Sequence, residues 1–293
     1  MDRENSMVAP LASVVVKHPK DAFISQQHLD AQWRNYNYLT SPNYDEALKE
    51  FTDFEDVLRQ YVQDIYYLPK TDIVGLDSIY THDPVKFTSK GAIILNSGKE
   101  NRRNEAIAYQ EYLKNNNFSI LGELQEGEYA DGGDLVWIDD KTLAIGLGYR
   151  TNQKGIERIK SLTKDFITDW IVVPLPHDQG VDNCLHLMSM ISMVDKDLAV
   201  TYAPLMPVFF RQWLESKEIE MIDISKKEYN NLGCNVLALK PRECLIVKGN
   251  PETKKKLESY NCIVHEYKGK EISYVGTGGP TCLTAPIVRH AEK

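Results

Sequence analysis

An internal repeat constrains the fold of this chain more than any other sequence feature. Short apolar runs, each followed by a helix-like segment, recur along the chain, the later four at intervals of roughly 50 residues. The apolar runs are residues 13–17, 92–95, 143–146, 198–201 and 244–247. The helix-like segments are residues 45–62, 103–113, 153–162, 207–214 and 252–257. The spacing therefore predicts a series of equivalent α/β units.

A second predicted strand precedes each of the later four runs and starts at a polar or glycine-containing turn. These strands are expected at residues 77–84, 131–137, 184–188 and 233–239. A further strand at 282–288 has no run after it, and the strand at 13–17 would be its partner. Pairing of these terminal strands would close five units into a ring with no exposed sheet edge. We therefore predict an α/β fold, a short-bladed propeller in a single domain over residues 1–293, with an ordinary doubly wound sheet as the alternative.

The composition argues against several classes of partner. A net charge of −8 and a pI near 5.5 disfavour binding to nucleic acid or to an anionic membrane. The first residues lack the basic start and apolar core of a secretory signal, and no apolar run approaches the length of a membrane span. We therefore expect a cytoplasmic protein with no nucleic-acid or membrane partner and with small-molecule ligands. The oligomeric state is open, and a homodimer is one option.

Five cysteines are scattered along the chain without the spacing of a zinc site or of a disulfide framework. Cys282 differs from the others because it lies in a turn of small residues, 276–284, where backbone can approach the thiol closely. That setting suits a nucleophile, whereas the alternative is a buried structural thiol. We expect neither a metal nor an organic cofactor.

The predicted ring would bring together five polar residues from distant parts of the chain. They occupy the start of the first strand of each unit and are Asp83, Asp131, His186, Asn235 and Cys282. Each has an ordinary alternative, since the aspartates could cap turns and His186 could be a satisfied core histidine. Carboxylates match a planar guanidinium through paired charge-assisted hydrogen bonds, and a cysteine with a histidine can attack an electrophilic carbon. Taken together, the set predicts a guanidino substrate.

Five motifs and a cysteine, spread over nearly the whole chain, carry a family resemblance. They are DSIYTHD (77–83), GKENRR (98–103), DGGDL (131–135), RTNQKG (150–155), LHL (185–187) and Cys282. With them the chain resembles the guanidine-modifying pentein superfamily, and within it dimethylarginine dimethylaminohydrolases more than arginine deiminases. The resemblance implies a five-bladed ββαβ propeller. It also implies hydrolysis of N-ω-methylated arginine to citrulline and a methylamine, through a covalent intermediate on cysteine and without a cofactor.

The resemblance further implies a role for each site residue. Cys282 would be the nucleophile and His186 the general acid and base, with Asp131 next to the histidine. The residues expected to bind the substrate are Asp77 at its α-amino group, Asp83 at its guanidinium, Arg102 and Arg150 at its carboxylate, and Asn235. For the two arginines the alternative is a solvated surface charge.

The chain departs from the dimethylargininase pattern at two places, and these leave the substrate open. His82 stands where that pattern has a glutamate, and Gly278, Gly279 and Pro280 form a run more typical of deiminases. Deiminases, however, carry an aspartate two residues after the histidine, where this chain has Met188. The alternatives are therefore arginine deiminase activity, amidinotransfer to an amine, or non-catalytic binding of arginine.

Overall fold

The structure, a computed structural model, describes residues 3–181 and 185–290, and its strands form five three-stranded sheets. Sheet 1 consists of β15 (Ala285–Arg289), β1 (Leu11–Val16) and β2 (Asp64–Tyr67). Sheet 2 has β3 (Val85–Thr88), β4 (Gly91–Ile94) and β5 (Ile120–Glu123), and sheet 3 has β6 (Leu135–Asp139), β7 (Thr142–Leu147) and β8 (Asp169–Pro174). Sheet 4 has β9 (Ile191–Asp195), β10 (Leu198–Thr201) and β11 (Glu220–Asp223), and sheet 5 has β12 (Leu237–Lys240), β13 (Glu243–Val247) and β14 (Ile263–Tyr267).

All these sheets share one topology. The middle strand pairs antiparallel with one neighbour and parallel with the strand that follows it in the chain. A parallel pair needs a crossover, which a helix supplies each time. The helices are α1 (Pro19–Ala22), α2 (Gln26–Gln32), α3 (Tyr44–Tyr61), α4 (Arg103–Asn115), α5 (Gln153–Thr163), α6 (Val208–Ser216), α7 (Lys226–Tyr229) and α8 (Pro251–Ser259). The crossovers use α3, α4, α5, α6 and α8, so each unit follows the order β-β-α-β.

Helix α3 shows why the local sequence folds as it does. The Asn43 side chain accepts a hydrogen bond from the Glu46 backbone N–H and so caps the first turn. Phe51, Phe54 and Leu58 then fall on one stripe and are buried against sheets 1 and 5. Burial of this stripe, rather than helix propensity alone, stabilises the helix.

The repeat predicted from the sequence is confirmed. All five apolar runs are middle strands, and the predicted helices lie within a few residues of α3, α4, α5, α6 and α8. The terminal strands pair antiparallel, with Val14 opposite Pro286 and Val15 opposite Ala285. The alternative of a single doubly wound sheet is wrong for the described residues.

The predicted starts of the first strands were wrong by three to eight residues, because turns occupy those positions. Short 3₁₀ turns at Leu76–Ile79, Gly132–Asp134 and Leu187–Ser189 precede β3, β6 and β9. The backbone N–H of Asp134 donates to the Asp131 carbonyl, and that of Ser189 donates to the His186 carbonyl, so both leave the extended ladder. The strand predicted at 184–188 is such a turn from Leu187 onward, and Cys184 lies outside the described residues.

Five buried apolar clusters join neighbouring sheets, and the one between sheets 3 and 4 also includes Ala238 of sheet 5. Sheets 1 and 2 meet around Val15 and Val85, sheets 2 and 3 around Ile93 and Leu135, and sheets 3 and 4 around Val136 and Met193. Sheets 4 and 5 share the cluster around Val200 and Ile246, and sheet 5 meets sheet 1 around Leu245 and Val14. Consecutive sheets are thus held by separate cores. None of the described helices is both long and apolar enough to cross a bilayer.

Candidate active site

A cavity of about 750 Å³, called the front cavity, collects residues that precede several first strands. Asp83 lies before β3, His186 before β9 and Cys282 before β15, and all three line it. The lining also includes Asp77, Arg102 and Arg150. Two predicted residues do not line it: Asp131 lies completely buried beneath His186, and Asn235 lies behind Cys282. The structure therefore brings the predicted residues together, but only some of them line the cavity, while Asp131 and Asn235 contact those that do.

The imidazole of His186 lies between two carboxylates. Its Nε2 is 3.0 Å from Asp131 Oδ2, and its Nδ1 is 4.0 Å from Asp83 Oδ1. Each ring nitrogen therefore faces the oxygen of a carboxylate. The same three side chains offer ligand atoms within 4.8 Å of one another, a spacing that could hold a cation. Arg102 and Arg150 already supply positive charge to Asp83 and Asp131, which disfavours a further cation there. A metal-free site stays a prediction.

Two glycines allow this close approach of His186. A Cβ at Gly133 would lie 2.5 Å from His186 Nδ1, and a Cβ at Gly132 would overlap the carbonyl oxygen of His82. Neither neighbour can move aside without displacing the site, so only glycine fits both positions. The backbone N–H of Gly133 also donates to Asp83 Oδ1 at 3.1 Å. The two glycines of the DGGDL motif thus let the backbone pack directly against His186 and His82.

Asp134, the second aspartate of that motif, has a positioning role that the sequence analysis missed. Its Oδ1 accepts from the Leu187 backbone N–H at 2.8 Å, and its Oδ2 accepts from the Thr151 hydroxyl at 2.6 Å. Burial raises the pKa of Asp134 to about 6, against the opposing charge of His186. The carboxyl therefore ties sheet 3 to the turn that carries His186. An aspartate directly before an apolar strand was the available signal, since a carboxyl there must find donors.

The Cys282 turn is held by neutral groups. The Asn235 side-chain amide donates to Cys282 Sγ at 3.3 Å, while its Oδ1 accepts from the Thr281 backbone N–H at 3.0 Å and hydroxyl at 2.8 Å. Asn235 therefore contacts the thiol turn, not the open cavity where a substrate ligand would be expected. Cys282 is partly exposed, whereas the other described cysteines, Cys234, Cys244 and Cys262, are buried and unbridged.

The lining of the front cavity also includes an ion pair between Lys99 and Asp77. Lys99 Nζ lies 2.7 Å from Asp77 Oδ2 and 5.6 Å from the centre of the Tyr36 ring. Arg150, which is 7% exposed, has its Nη1 3.7 Å from Asp131 Oδ2. Neither predicted arginine is a solvated surface charge.

Arg102 already has several acceptors. It forms a two-point ion pair with Glu105, at 3.0 and 2.8 Å, and an ion pair with Asp83. It also donates to the backbone carbonyls of Asp77 and Tyr80. A substrate carboxylate, the partner implied by the family resemblance, would have to compete with these groups.

Arg102 lowers the pKa of two buried carboxyls that pair with it, but their net pKa shifts go in opposite directions. Burial opposes ionisation of Asp83, but the charges of His186 and Arg102 prevail and hold its pKa well below the usual range. Burial raises the pKa of Glu105 to about 7 even though Arg102 opposes the shift. Asp83 is therefore an anion at neutral pH, while Glu105 is poised between its two forms.

His82 does not line the front cavity. Its Nδ1 lies 2.9 Å from the Thr284 carbonyl oxygen, and its backbone N–H donates to the Cys282 carbonyl at 3.2 Å. Burial, reinforced by the positive charge of Lys86, lowers the pKa of His82 to about 4. His82 is thus neutral at pH 7 and holds the cysteine turn through its contacts with the backbone of Cys282 and Thr284. We call it the neutral brace of this turn.

Solved structures of other proteins share this fold. A DDAH from Pseudomonas aeruginosa, in complex with citrulline, is 21% identical and superposes with a TM-score of 0.76 over 94% of this chain and 99% of that one. The N-terminal domain of ArgZ, an arginine dihydrolase of cyanobacteria, is 14% identical, with a TM-score of 0.79 over 94% and 98% of the two chains. These similarities establish the α/β fold class of the chain.

Sequence comparison then gives the family. The profile of the family described as N,N dimethylarginine dimethylhydrolase, eukaryotic, matches residues 21–289, and the chain belongs to that family. The resemblance found in the motifs is therefore confirmed. Arginine deiminase of Limosilactobacillus fermentum is 25% identical over an alignment of 255 positions, and the match covers 73% of this chain and 61% of that protein. The chain thus spans less than two thirds of the length of such relatives.

Proposed function

We propose that the protein hydrolyses a guanidine C–N bond of an arginine derivative, converting N-ω-methylated arginine to citrulline and methylamine or dimethylamine. The observation that carries the proposal is that Cys282 and His186 line one cavity with the Asp83 carboxylate. A thiol, an imidazole and a carboxylate suit attack on a planar cation. Membership in the family named for dimethylarginine supports the methylated substrate.

The proposed reaction needs only groups of the chain. The Cys282 thiolate, stabilised by the Asn235 amide and by nearby positive charge, attacks the guanidinium carbon. The C–N bond to the methylated nitrogen breaks, and protonated His186 gives its proton to the departing amine. An S-alkylthiouronium adduct remains on Cys282. His186, now neutral, removes a proton from water, which attacks the same carbon. The C–S bond then breaks as the remaining hydroxyl proton passes to solvent, which releases citrulline and regenerates the thiolate.

The other predicted residues are proposed to hold the substrate. Asp83 pairs with the guanidinium, and Asp131 fixes the ring of His186 through their 3.0 Å contact. Asp77 takes the α-amino group, for which it exchanges its contact with Lys99, and Arg150 takes the α-carboxylate. For Arg102 and Asn235 the contacts support positioning roles, Arg102 for Asp83 and Asn235 for Cys282.

Arginine deiminase activity is the second candidate. The curated relatives that match this chain include arginine deiminases, and the Gly278-Gly279-Pro280 run is typical of that group. Ammonia would then replace the methylamine as leaving group, with the same adduct. Amidinotransfer differs only in using an amine acceptor instead of water, and a non-catalytic arginine-binding protein would form no adduct.

A substrate panel separates these candidates. The purified protein is given dimethylarginine, monomethylarginine, arginine and agmatine, and both the urea product and the released amine are identified. We expect citrulline with dimethylamine or methylamine at the highest kcat/KM, and agmatine to be poor because it lacks the carboxylate. Ammonia from arginine at the highest kcat/KM would replace the proposal by deiminase activity. No product from any of the four would refute it.

Arg150→Met tests the assignment of the carboxylate. Loss of a charge-assisted hydrogen bond should raise KM for methylated arginine by about tenfold or more, with a smaller change for agmatine. Arg158→Met is the matched control, because Arg158 lies on the outer side of α5 against Glu128. An unchanged KM in Arg150→Met, or equal effects on both substrates, would contradict the assignment.

We also propose that the five units form one domain closed as a propeller ring. The pairing of β15 with β1 and the apolar cluster joining sheet 5 to sheet 1 support this arrangement. One cooperative unfolding transition by fluorescence and circular dichroism is expected. Two separate transitions would contradict a single domain. The homodimer remains a prediction.

A further inference from the structure

A second cavity, of about 430 Å³ and called the rear cavity, lies between the ends of β1 and β2 and helix α4. It shares no lining residue with the front cavity. Lys17, at the end of β1, lines it from one side, and Glu105 and Tyr109 of α4 line it from the other. A space of this size is enough for a ligand the size of an amino acid.

One stretch of chain, residues 77–84, separates the two cavities, and different residues of it line each one. The residues on the front side are Asp77, Tyr80 and Asp83, and those on the rear side are Ser78, Thr81 and Pro84. The rear cavity is therefore a separate compartment and not an extension of the candidate active site.

Two polar groups on the rear cavity lack protein partners. Lys17 is 2% exposed, and its ammonium makes no hydrogen bond or ion pair with any described residue. Burial lowers the pKa of Lys17, while the charge of Glu105 opposes the shift. The hydroxyl of Ser78 is also buried, without a hydrogen-bond partner among the described residues. Buried polar groups are nearly always paired, so these two mark a place where a ligand would supply the missing acceptor.

The surroundings of Lys17 specify the ligand. A buried cation beside a hydroxyl calls for an anion with acceptor oxygens. The carboxyl groups of Glu105 and Glu111 also line the cavity and repel anions, so they disfavour a dianion such as phosphate about twice as strongly as a monoanion. Leu68 and Val74 provide an apolar surface for a hydrocarbon body. We propose that the rear cavity binds a small monocarboxylate with a short apolar body, its carboxylate on Lys17 and Ser78.

Calorimetric titration with 4-methylpentanoate and with its neutral isostere 4-methylpentanamide tests this site. Saturable binding of the acid is expected, with the amide at least about tenfold weaker, because only the acid can pair with the Lys17 charge. Lys17→Met should weaken binding of the acid by a similar factor, and it should fold, since it removes an unpaired buried charge. Lys90→Met, at an exposed lysine, is the control and should bind as the parent does.

Two further arms locate the bound acid and keep the test independent of the proposed function. Protein alkylated at Cys282 by a haloacetamidine has its front cavity occupied, and it should bind the acid unchanged. Ser78→Ala should bind it a few-fold more weakly. Equal binding of acid and amide, unchanged binding in Lys17→Met, or loss of binding after alkylation would each overturn the proposal, as would no binding of the acid at all.

Discussion

The two sides of the front cavity are built on different principles. On one side Cys282 is held by neutral groups, the amide of Asn235 and the small-residue turn around Thr281. On the other side Asp83 and Arg102 are buried ions whose charges offset one another. A neutral contact can be removed at little cost, whereas removal of one buried ion leaves its partner unpaired. The thiol side should therefore tolerate substitution in stability but not in activity, and the charged side should lose both.

Cys282→Ser is expected to have the largest effect, and on activity alone. A hydroxyl is a far weaker nucleophile than a thiolate at neutral pH, so kcat should fall by roughly 10⁴-fold or more while the unfolding midpoint in urea hardly changes. Alanine variants of Cys184, Cys234, Cys244 and Cys262 serve as controls and should retain activity. Comparable turnover in Cys282→Ser would remove the thiol mechanism.

Arg102→Met tests the side of the front cavity that carries Asp83 and Arg102. There we expect the substitution to lower the free energy of unfolding. Asp83 and Glu105 would remain buried without their cation, which costs about 3–5 kcal/mol. The decrease in the free energy of unfolding should be larger at pH 8 than at pH 5, because Asp83 and Glu105 can take up protons in acid. Urea unfolding at both pH values measures it. Arg103→Met, at a partly exposed neighbour, should change stability far less, and equal effects of the two variants would contradict the comparison.

His82→Gln tests the brace beneath the thiol side. Because the folded pKa of His82 is lowered to about 4, the unfolded chain binds the extra proton first, and wild-type stability is lost as pH falls from about 6.5 towards 4. A shift of this size corresponds to roughly 3 kcal/mol over that window. Glutamine carries no such proton, so unfolding titrations should show a correspondingly flatter pH dependence. The exposed His177→Gln variant should keep the wild-type slope; a wild-type slope in His82→Gln would show that burial does not control its charge.

Asn235→Ala should have the smallest effect of the series. Loss of the amide donor to sulfur destabilises the thiolate, so kcat/KM should fall by about 10- to 100-fold. The pH at which haloacetamidine labelling of Cys282 reaches half its maximal rate should also move upward. Asn230→Ala, at an exposed position in the same turn, is the control. A lower kcat/KM with an unmoved labelling profile would mean that Asn235 acts only through the fold.

The sequence predicted those parts of the molecule that follow from a local pattern. Middle strands and crossover helices are apolar runs of the right period, and the motifs supplied Cys282, His186 and Asp83. The third strands were not predicted; β2, for example, is four residues long and mostly half-exposed, so it carries no alternating pattern. The starts of the first strands were wrong because hydrogen bonds within turns compete with the ladder there.

The partners of individual polar groups could not be predicted either. Whether Arg102 meets a substrate or protein carboxyls depends on how its turn packs against Asp83. Whether Asn235 faces the cavity or the thiol depends on the distance between separate units of the repeat. The same holds for Asp134, whose donors come from residues 151 and 187. A motif fixes residue types, while tertiary packing decides what they contact.

The intact mass of His186→Gly after mixing with an S-alkylthiocitrulline tests the central claim most directly. The alkylthiolate leaves without help from a histidine proton, so attack by Cys282 can proceed, but no base remains to activate water. We expect a species heavier than the protein by the substrate mass less the departing thiol, with the added mass located at Cys282 by proteolysis. Continued turnover without such a species, or an adduct located at another residue, would contradict covalent catalysis by Cys282 and His186.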